Sequence, residues 1–235
     1  MEATIMISEV SFSRGYGSFW SEYTPWLGDF VSEINKGIAS RIQNPIFSHI
    51  DDTTHRSINN TIAFCLFKNS ITTGNKNIRD AYNEGITIVR NYPKNNITSY
   101  SLSDEYIEII TEISNRLINR YKNKTIEFYP QFLGCGIMES CQGDIYIENT
   151  LVEIKAGERG FQTSDIKQVI TYCALNWLSE KSLNIERIEI YNPRQGILWE
   201  SDLSDLVLSV SSLPLEDLFE QIGNYLSGLS EIVEL

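Results

Sequence analysis

The sequence predicts an α/β fold in which helices are layered around one mixed β-sheet. Two observations carry that reading. From Ser103 onward, segments with apolar residues every three or four positions alternate with short runs rich in Ile, Tyr, Phe and Val. Before that point the chain reads as helices joined by polar loops. A composition of 42% hydrophobic and 21% charged residues over 235 positions is that of a chain able to bury a large core.

The elements follow in order. Residues 19–42 (FWSEYTPWLGDFVSEINKGIASRI) are predicted to form one long amphipathic helix, with Pro25 at a first-turn or kink position. Residues 54–68 and 77–92 predict two shorter helices. Between and after them, ITTGNKN and NYPKNNITSYS have loop chemistry, and the second is the expected domain boundary. The expected division is a helical N-terminal region, residues 1–100, and a core, residues 101–235. In SDEYIEIITEISNRLINRYKNK the apolar positions 106, 109, 110, 113, 117 and 121 form one helical stripe, with Ser103 or Asp104 placed to cap it. IEFYPQFLG predicts a strand, and GDIYIENTLVEIKAG (143–157) a hairpin. Residues 164–178 predict a helix with Ser164 as N-cap and Ile166, Val169, Ile170, Cys173, Ala174 and Trp177 on its buried stripe. IERIEIY and ILWE, joined by the turn NPRQG, are two more strands. A last amphipathic helix spans about 214–228.

The formal net charge of −12 excludes a broad phosphate-binding surface, which needs clustered Lys and Arg. Any nucleic-acid contact has to be local, metal-assisted or supplied by a partner. The opening residues lack a basic segment followed by a long apolar run. No stretch approaches the roughly 18 to 20 apolar residues of a membrane span, so a soluble cytoplasmic protein is expected. Cys65, Cys135, Cys141 and Cys173 form no CxxC pair, and reduced structural thiols are expected. HIDDTTH reads as a helix start capped by Asp52, Thr53 or Thr54, with His49 and His55 exposed. SRGYGSFW lacks the preceding strand and the lysine of a phosphate loop.

The chemistry concentrates in the hairpin. Residues two apart on a strand share a face, so Glu153 and Lys155 point the same way, roughly 6 to 7 Å apart. A two-residue turn at Glu148-Asn149 sets Asp144 opposite Glu153, and one at Asn149-Thr150 sets it opposite Lys155. Both registers gather the three on one face, while Val152, Ile154 and Ala156 face the other way, toward helices. Facing carboxylates repel unless a cation sits between them. Mg²⁺ suits such a pair, with the Ile154 carbonyl as a further ligand and Lys155 to stabilise charge developing on a phosphate. A charged, solvated strand face is the competing reading of ExK alone. Gln168 and Tyr172, four apart on the following helix, add a second pair beside its apolar stripe.

Asp144, Glu153-x-Lys155 and Gln168-xxx-Tyr172, in the order strand, strand, helix, resemble the PD-(D/E)xK nuclease superfamily and its QxxxY branch of RecB-like and lambda-type exonucleases. The resemblance covers about residues 104–200, and Gly143 stands where the motif's proline would be. It implies a restriction-endonuclease-like core, with a central mixed sheet flanked by helices, and a Mg²⁺-dependent nuclease, Mn²⁺ substituting. Asp144 and Glu153 would be metal ligands, Lys155 the catalytic lysine, and Gln168 and Tyr172 the supporting pair. Members often add an acidic residue from the first core helix, for which Glu112 is the candidate ahead of Glu105 and Glu108. Arg159 and Lys167, in and after GERGFQTSD, are the candidate phosphate contacts. Replacing Lys155 by Ala is expected to abolish cleavage while leaving stability almost unchanged. The substrate would be nucleic acid, DNA first, with a helicase or ATPase partner in a restriction or phage-defence setting. The alternative is a non-cleaving binding or assembly module that keeps the fold.

Overall fold

A computed structural model describes residues 6–47, 53–91 and 100–233, with side chains described as far as 229. In chain order its helices and strands are α1 (Glu9–Arg14), α2 (Gly17–Tyr23), α3 (Leu27–Glu33), β1 (Ser40–Arg41), α4 (Thr53–Thr72), α5 (Ile78–Arg90), α6 (Asp104–Tyr121), β2 (Glu127–Phe128), β3 (Gln131–Phe132), β4 (Cys141–Gln142), β5 (Ile145–Ile147), β6 (Thr150–Ile154), α7 (Thr163–Trp177), β7 (Arg187–Asn192), β8 (Ile197–Asp202), α8 (Leu203–Ser211) and α9 (Leu215–Val233). The α/β class holds. A mixed six-stranded sheet in the order β1-β8-β7-β6-β5-β2 is flanked by helices, and β3 and β4 form a separate two-stranded ribbon. Only β6 and β7 run parallel, joined by the crossover helix α7, as a parallel pair requires.

Strand alternation divides the core in two. Leu151, Ile188, Ile190 and Trp199 point to one face and pack with Ile166, Val169 and Ile170 of α7, Leu206 of α8, Phe219 of α9, and Phe12, Trp20 and Leu27 from the N-terminal helices. Ile145, Ile147, Val152, Tyr191 and Leu198 point to the other face, against Ile58, Ile62 and Phe67 of α4, Val89 of α5 and the stripe of α6. That stripe is as predicted: Tyr106, Ile109, Ile110, Ile113, Leu117 and Tyr121 are all buried, and Ser103 caps the helix by accepting from the Tyr106 N–H at 3.3 Å. Both faces of the sheet are therefore covered, including the one that carries Asp144 and Glu153.

Several expectations are corrected. Residues 19–42 do not form one helix. The chain leaves α2 at Thr24, re-enters as α3 after Pro25-Trp26, widens into a π-helical turn over Ile34–Ile38 and ends in β1. Proline removes an N–H and disfavours helix at the residue before it, which breaks the helix rather than kinking it. The strand expected over 126–134 splits at Tyr129-Pro130, where Tyr129 takes φ 56°, leaving β2 and β3 in different sheets. α7 begins two residues early, with Gln162 as N-cap in place of Ser164, and Trp177 at its end is 43% exposed rather than buried. α8, a helix directly continuing β8, was not anticipated. His55 is half-buried, its Nδ1 2.8 Å from the Tyr106 hydroxyl, while His49, Asp51 and Asp52 lie outside the described residues.

The boundary loop expected around residue 100 is mostly outside the described residues. Packing does not divide the chain there: β1 is an edge strand of the main sheet, and both cores draw side chains from both sides of residue 100. All four cysteines are free, with Cys65 and Cys173 buried. No helix among the described residues is long and apolar enough to cross a membrane.

Candidate active site

The hairpin register decides the site. β5 and β6 pair as Ile145↔Val152, Tyr146↔Leu151 and Ile147↔Thr150, so the turn is Glu148-Asn149. Both turn residues have positive φ, 47° and 65°, the twist of a two-residue hairpin loop that matches the twist of the strands. One step further along this register, Asp144 lies opposite Glu153, the first of the two alternatives the sequence allows. The Ile154 N–H donates to Asp144 Oδ2 at 2.7 Å, fixing the carboxylate at the strand end, and the Lys155 N–H donates to the Tyr191 carbonyl at 2.9 Å.

From Glu153 a chain of hydrogen bonds runs into α7. Lys155 Nζ donates to Glu153 Oε1 and to Gln168 Oε1, each at 2.7 Å, and Gln168 Nε2 donates to the Tyr172 hydroxyl at 2.7 Å. The helical spacing of four sets Gln168 and Tyr172 one above the other. The Tyr172 ring is stacked on Phe132 of β3, with centroids 5.2 Å apart. All five residues of the predicted strand, strand and helix motif are thus within one network or facing it. Glu153 is only 5% exposed, and its second oxygen, Oε2, is buried with no hydrogen-bond partner.

Electrostatics sharpen the picture. Burial, followed by the charge of Glu153, pushes the Asp144 carboxyl up to about 8, against the opposing pull of the Ile154 N–H and Lys155. Burial alone would lower the Lys155 ammonium, but the charges of Glu153, Asp165 and Asp144 outweigh it and hold the lysine protonated. Burial also pushes the Tyr172 hydroxyl up, so this tyrosine acts as a neutral hydrogen-bonding group. Two close carboxylates, one with an orphaned buried oxygen, form a donor set short of positive charge. This fits a divalent cation with oxygen preference. Among the described residues no group of three or more His, Cys, Asp or Glu is gathered closely enough to hold an ion unaided. Any such ion would rest on Asp144 and Glu153, with water, a backbone carbonyl such as that of Ile154, or substrate oxygens completing its shell.

The other predicted residues are placed differently. Glu112 does not line the site. It is half-exposed and pairs with Arg116 at 2.7 Å, whose guanidinium reaches the carbonyls of Asn44 and Pro193. Lys167 turns away and holds its ammonium 5.5 Å over the Trp20 ring, its pKa lowered by burial. Arg159 is at the site but is engaged bidentately by Asp165, at 2.7 and 3.0 Å. Asp165 in turn accepts from the Gln162 N–H at 2.8 Å as the N-terminal box of α7.

Residues without a local signal complete the site. Glu9, in the first turn of α1, faces Cys141, Asp144, Glu153 and Tyr172 across a chamber of about 790 Å³. Burial, with the charges of Glu9 and Glu153, pushes the Cys141 thiol up to about 12, so in the absence of a metal it is a neutral thiol. Asn60 of α4 donates to the Ala156 carbonyl at 2.9 Å and accepts from Arg194 Nη2 at 3.0 Å, while Arg194 Nε donates to the same carbonyl at 3.0 Å. These two side chains hold the chain where it leaves β6. A second chamber, about 390 Å³ and polar, lies beside the first.

Fold and site together define an α/β protein with a buried carboxylate pair, a lysine bonded to one of the two, and a glutamine-tyrosine support at the end of a parallel strand pair. Neither a known protein-family model nor a curated protein matches the chain, so the reading of its function rests on this geometry.

Proposed function

We propose that this chain is a metal-dependent nuclease that hydrolyses phosphodiester bonds, DNA foremost, on a restriction-endonuclease-like core. The observation that carries the reading is the Glu153–Lys155–Gln168–Tyr172 hydrogen-bonded chain facing Asp144. A divalent cation such as Mg²⁺, with Mn²⁺ substituting, would supply charge neutralisation and an acidified water when bound at Asp144 and Glu153. The protein's own groups do the rest. Lys155, kept protonated by its carboxylate neighbours, offers its remaining ammonium hydrogen to phosphate oxygens, where negative charge grows during in-line attack. Gln168 restricts the lysine to one rotamer and is itself restricted by Tyr172, so the ammonium needs little reorganisation as the reaction proceeds. Enclosure by α1 and α7 strengthens each of these interactions by excluding water.

The test is cleavage of plasmid and linear DNA in Mg²⁺ by the parent and by Lys155→Ala. The variant is expected to lose at least about a hundredfold in rate, and activity retained in it would sink the assignment. The protein's acidity favours a setting in which a helicase or other ATPase delivers the nucleic acid, as in cytoplasmic restriction or phage defence. Efficient cutting by the isolated chain at physiological salt would count against an obligatory partner. A non-cleaving nucleic-acid-binding or assembly module is the second reading, favoured by the net charge of −12. A Mg²⁺ titration of parent against Asp144→Ala separates the two, since a module with no metal site gives the same null isotherm for both.

A further inference from the structure

The two chambers differ in chemistry and adjoin through shared wall residues, among them Ser57, Asn60, Ile154 and Gln168. Away from the carboxylates, the larger chamber is walled by Phe64, Ile88, Ile113, Leu117 and Tyr129. The Phe64 and Tyr129 rings are 5.5 Å apart and both half-buried, with Lys68 Nζ 5.5 Å over the Tyr129 ring. Asn60, Thr61 and Gln142 give the same chamber a few hydrogen-bonding groups. A half-open chamber that sets aromatic and aliphatic side chains beside a few hydrogen-bonding groups suits an unstacked nucleobase.

The smaller chamber is the converse. Arg14, Lys155 and Arg159 line it against one carboxylate, Asp165, with the hydroxyl-bearing residues Ser13, Ser57 and Ser164 around them. Arg159 and Lys155 already hold Asp165 and Glu153, whereas Arg14 makes no ion pair or side-chain hydrogen bond among the described residues. In a chain of net charge −12, this is a localised cationic pocket with one guanidinium unspent. It matches a single phosphate rather than the charged flank of a duplex, whose binding draws on many phosphate contacts.

We propose that the two chambers hold consecutive parts of one unpaired nucleic-acid strand, with a nucleobase in the aromatic chamber and a neighbouring phosphate in the Arg14 pocket. The proposal rests on the reading of the carboxylate centre as a phosphodiester site, and deepens it by naming the substrate class as single-stranded. A base held in a duplex is stacked and paired, and its face reaches the aromatic wall of the chamber only if the base is extruded. Ile154 and Gln168 line both chambers and the carboxylates of Asp144 and Glu153 line the larger one, so a strand occupying both runs beside the carboxylate pair.

The experiment uses the full chain and a short fluorescein-labelled oligothymidylate, with binding followed by anisotropy in Ca²⁺ and cleavage followed in parallel in Mg²⁺. The single strand is expected to bind at least about tenfold tighter than the same sequence in a duplex. Arg14→Ala is expected to lower the slope of log affinity against log salt by about 0.7, the value for one phosphate contact on a single strand. This side chain is exposed and holds nothing in the fold, so the variant should keep the parent's melting temperature. In a series of oligonucleotides each carrying one abasic site, one position is expected to weaken binding about tenfold or more. Equal affinity for duplex and single strand, an unchanged salt slope in Arg14→Ala, or a flat abasic series would each overturn the proposal, whether or not the protein cuts. The expected binding pattern without any cleavage would instead overturn the nuclease reading and leave the strand site standing.

Discussion

Lys155 shows how burial changes the meaning of a residue. Read on a strand face it is an exposed catalytic group whose loss costs the fold little. In the structure its side chain is 20% exposed and neutralises Glu153, whose side chain is 7% exposed. Removing one partner of such a pair leaves a buried charge uncompensated, which costs roughly 3 kcal/mol. The metal-free Lys155→Ala protein is therefore expected to melt below the parent. Thermal denaturation in EDTA checks this, and a divalent cation, by compensating the buried carboxylate, should restore some of the loss. Asp144 gives a second prediction of opposite sense. Its carboxyl sits near 8 in the fold against 3.8 for the ordinary group, so between those values the native protein holds a proton that the unfolded chain has released. Metal-free stability must then fall as pH rises from about 4 to about 8. Asp144→Asn should flatten this fall and raise the melting temperature at pH 8 by at least about 3 °C. Metal affinity should rise across the same window in the parent, because binding expels the proton. Strand periodicity made Asp144, Glu153 and Lys155 legible as one face and helix periodicity did the same for Gln168 and Tyr172, while only the resemblance to a known motif joined the two faces into one site. Glu9 was not, since nothing local ties a helix at the start of the chain to a strand 135 positions later.

Among the elements, the β5–β6 hairpin was legible as a hairpin, while its register was open. Two turns were compatible with the alternation; the structure uses Glu148-Asn149 with left-handed backbone at both positions, a conformation that the alternative turn would have imposed on the β-branched Thr150. Asn tolerates this conformation, but Glu does so at a cost. Glu148→Asn is expected to stabilise the protein by about 0.5 kcal/mol, the relief of strain exceeding the loss of the exposed Lys124–Glu148 pair. Chemical denaturation reads the change, and lower stability in the variant would mean that the turn is not strained. The same paired positive φ values protect the site, because a slip of one residue would turn Glu153 to the opposite face. Other elements were illegible for identifiable reasons. LSDLVLSVS follows β8 without Gly or Pro, and its dense apolar content resembles a continued strand. Only Asp202 at the N-cap marks the change to α8. Residues 19–42 carry helical spacing throughout, and only Pro25 signals that the spacing belongs to two helices.

At the scale of the molecule, a change from loop-rich helices to alternating strands suggested two domains, and the packing answers differently. Composition can mark where one kind of element gives way to another, but not whether the two kinds bury their faces against each other. Here they do. Phe12, Trp20, Leu27 and Ile34 lie in the same core as Val169, Leu206 and Phe219, and Ile58, Ile62 and Phe67 lie with Ile110, Val152 and Tyr191. β1 closes one edge of the sheet against β8, where Gly196 takes φ +63° and an added Cβ would stand 2.2 Å from the Gln43 carbonyl oxygen. Each buried aromatic or branched side chain contributes about 1.5–3 kcal/mol, so together the seven N-terminal residues just named contribute on the order of the whole stability of an ordinary domain. A fragment of residues 101–235 would expose both faces of the sheet where those residues pack. It would also lack Glu9, Arg14, Asn60 and Phe64 from the walls of the two chambers. Such a fragment is expected to show no cooperative melting transition and to bind neither Mg²⁺ nor oligothymidylate, whereas the full chain should unfold in one transition seen equally by far- and near-ultraviolet circular dichroism. A folded 101–235 fragment with a sharp transition of its own would return the N-terminal hundred residues to the status of a separate region. An unfolded fragment would instead make them part of the candidate site's construction.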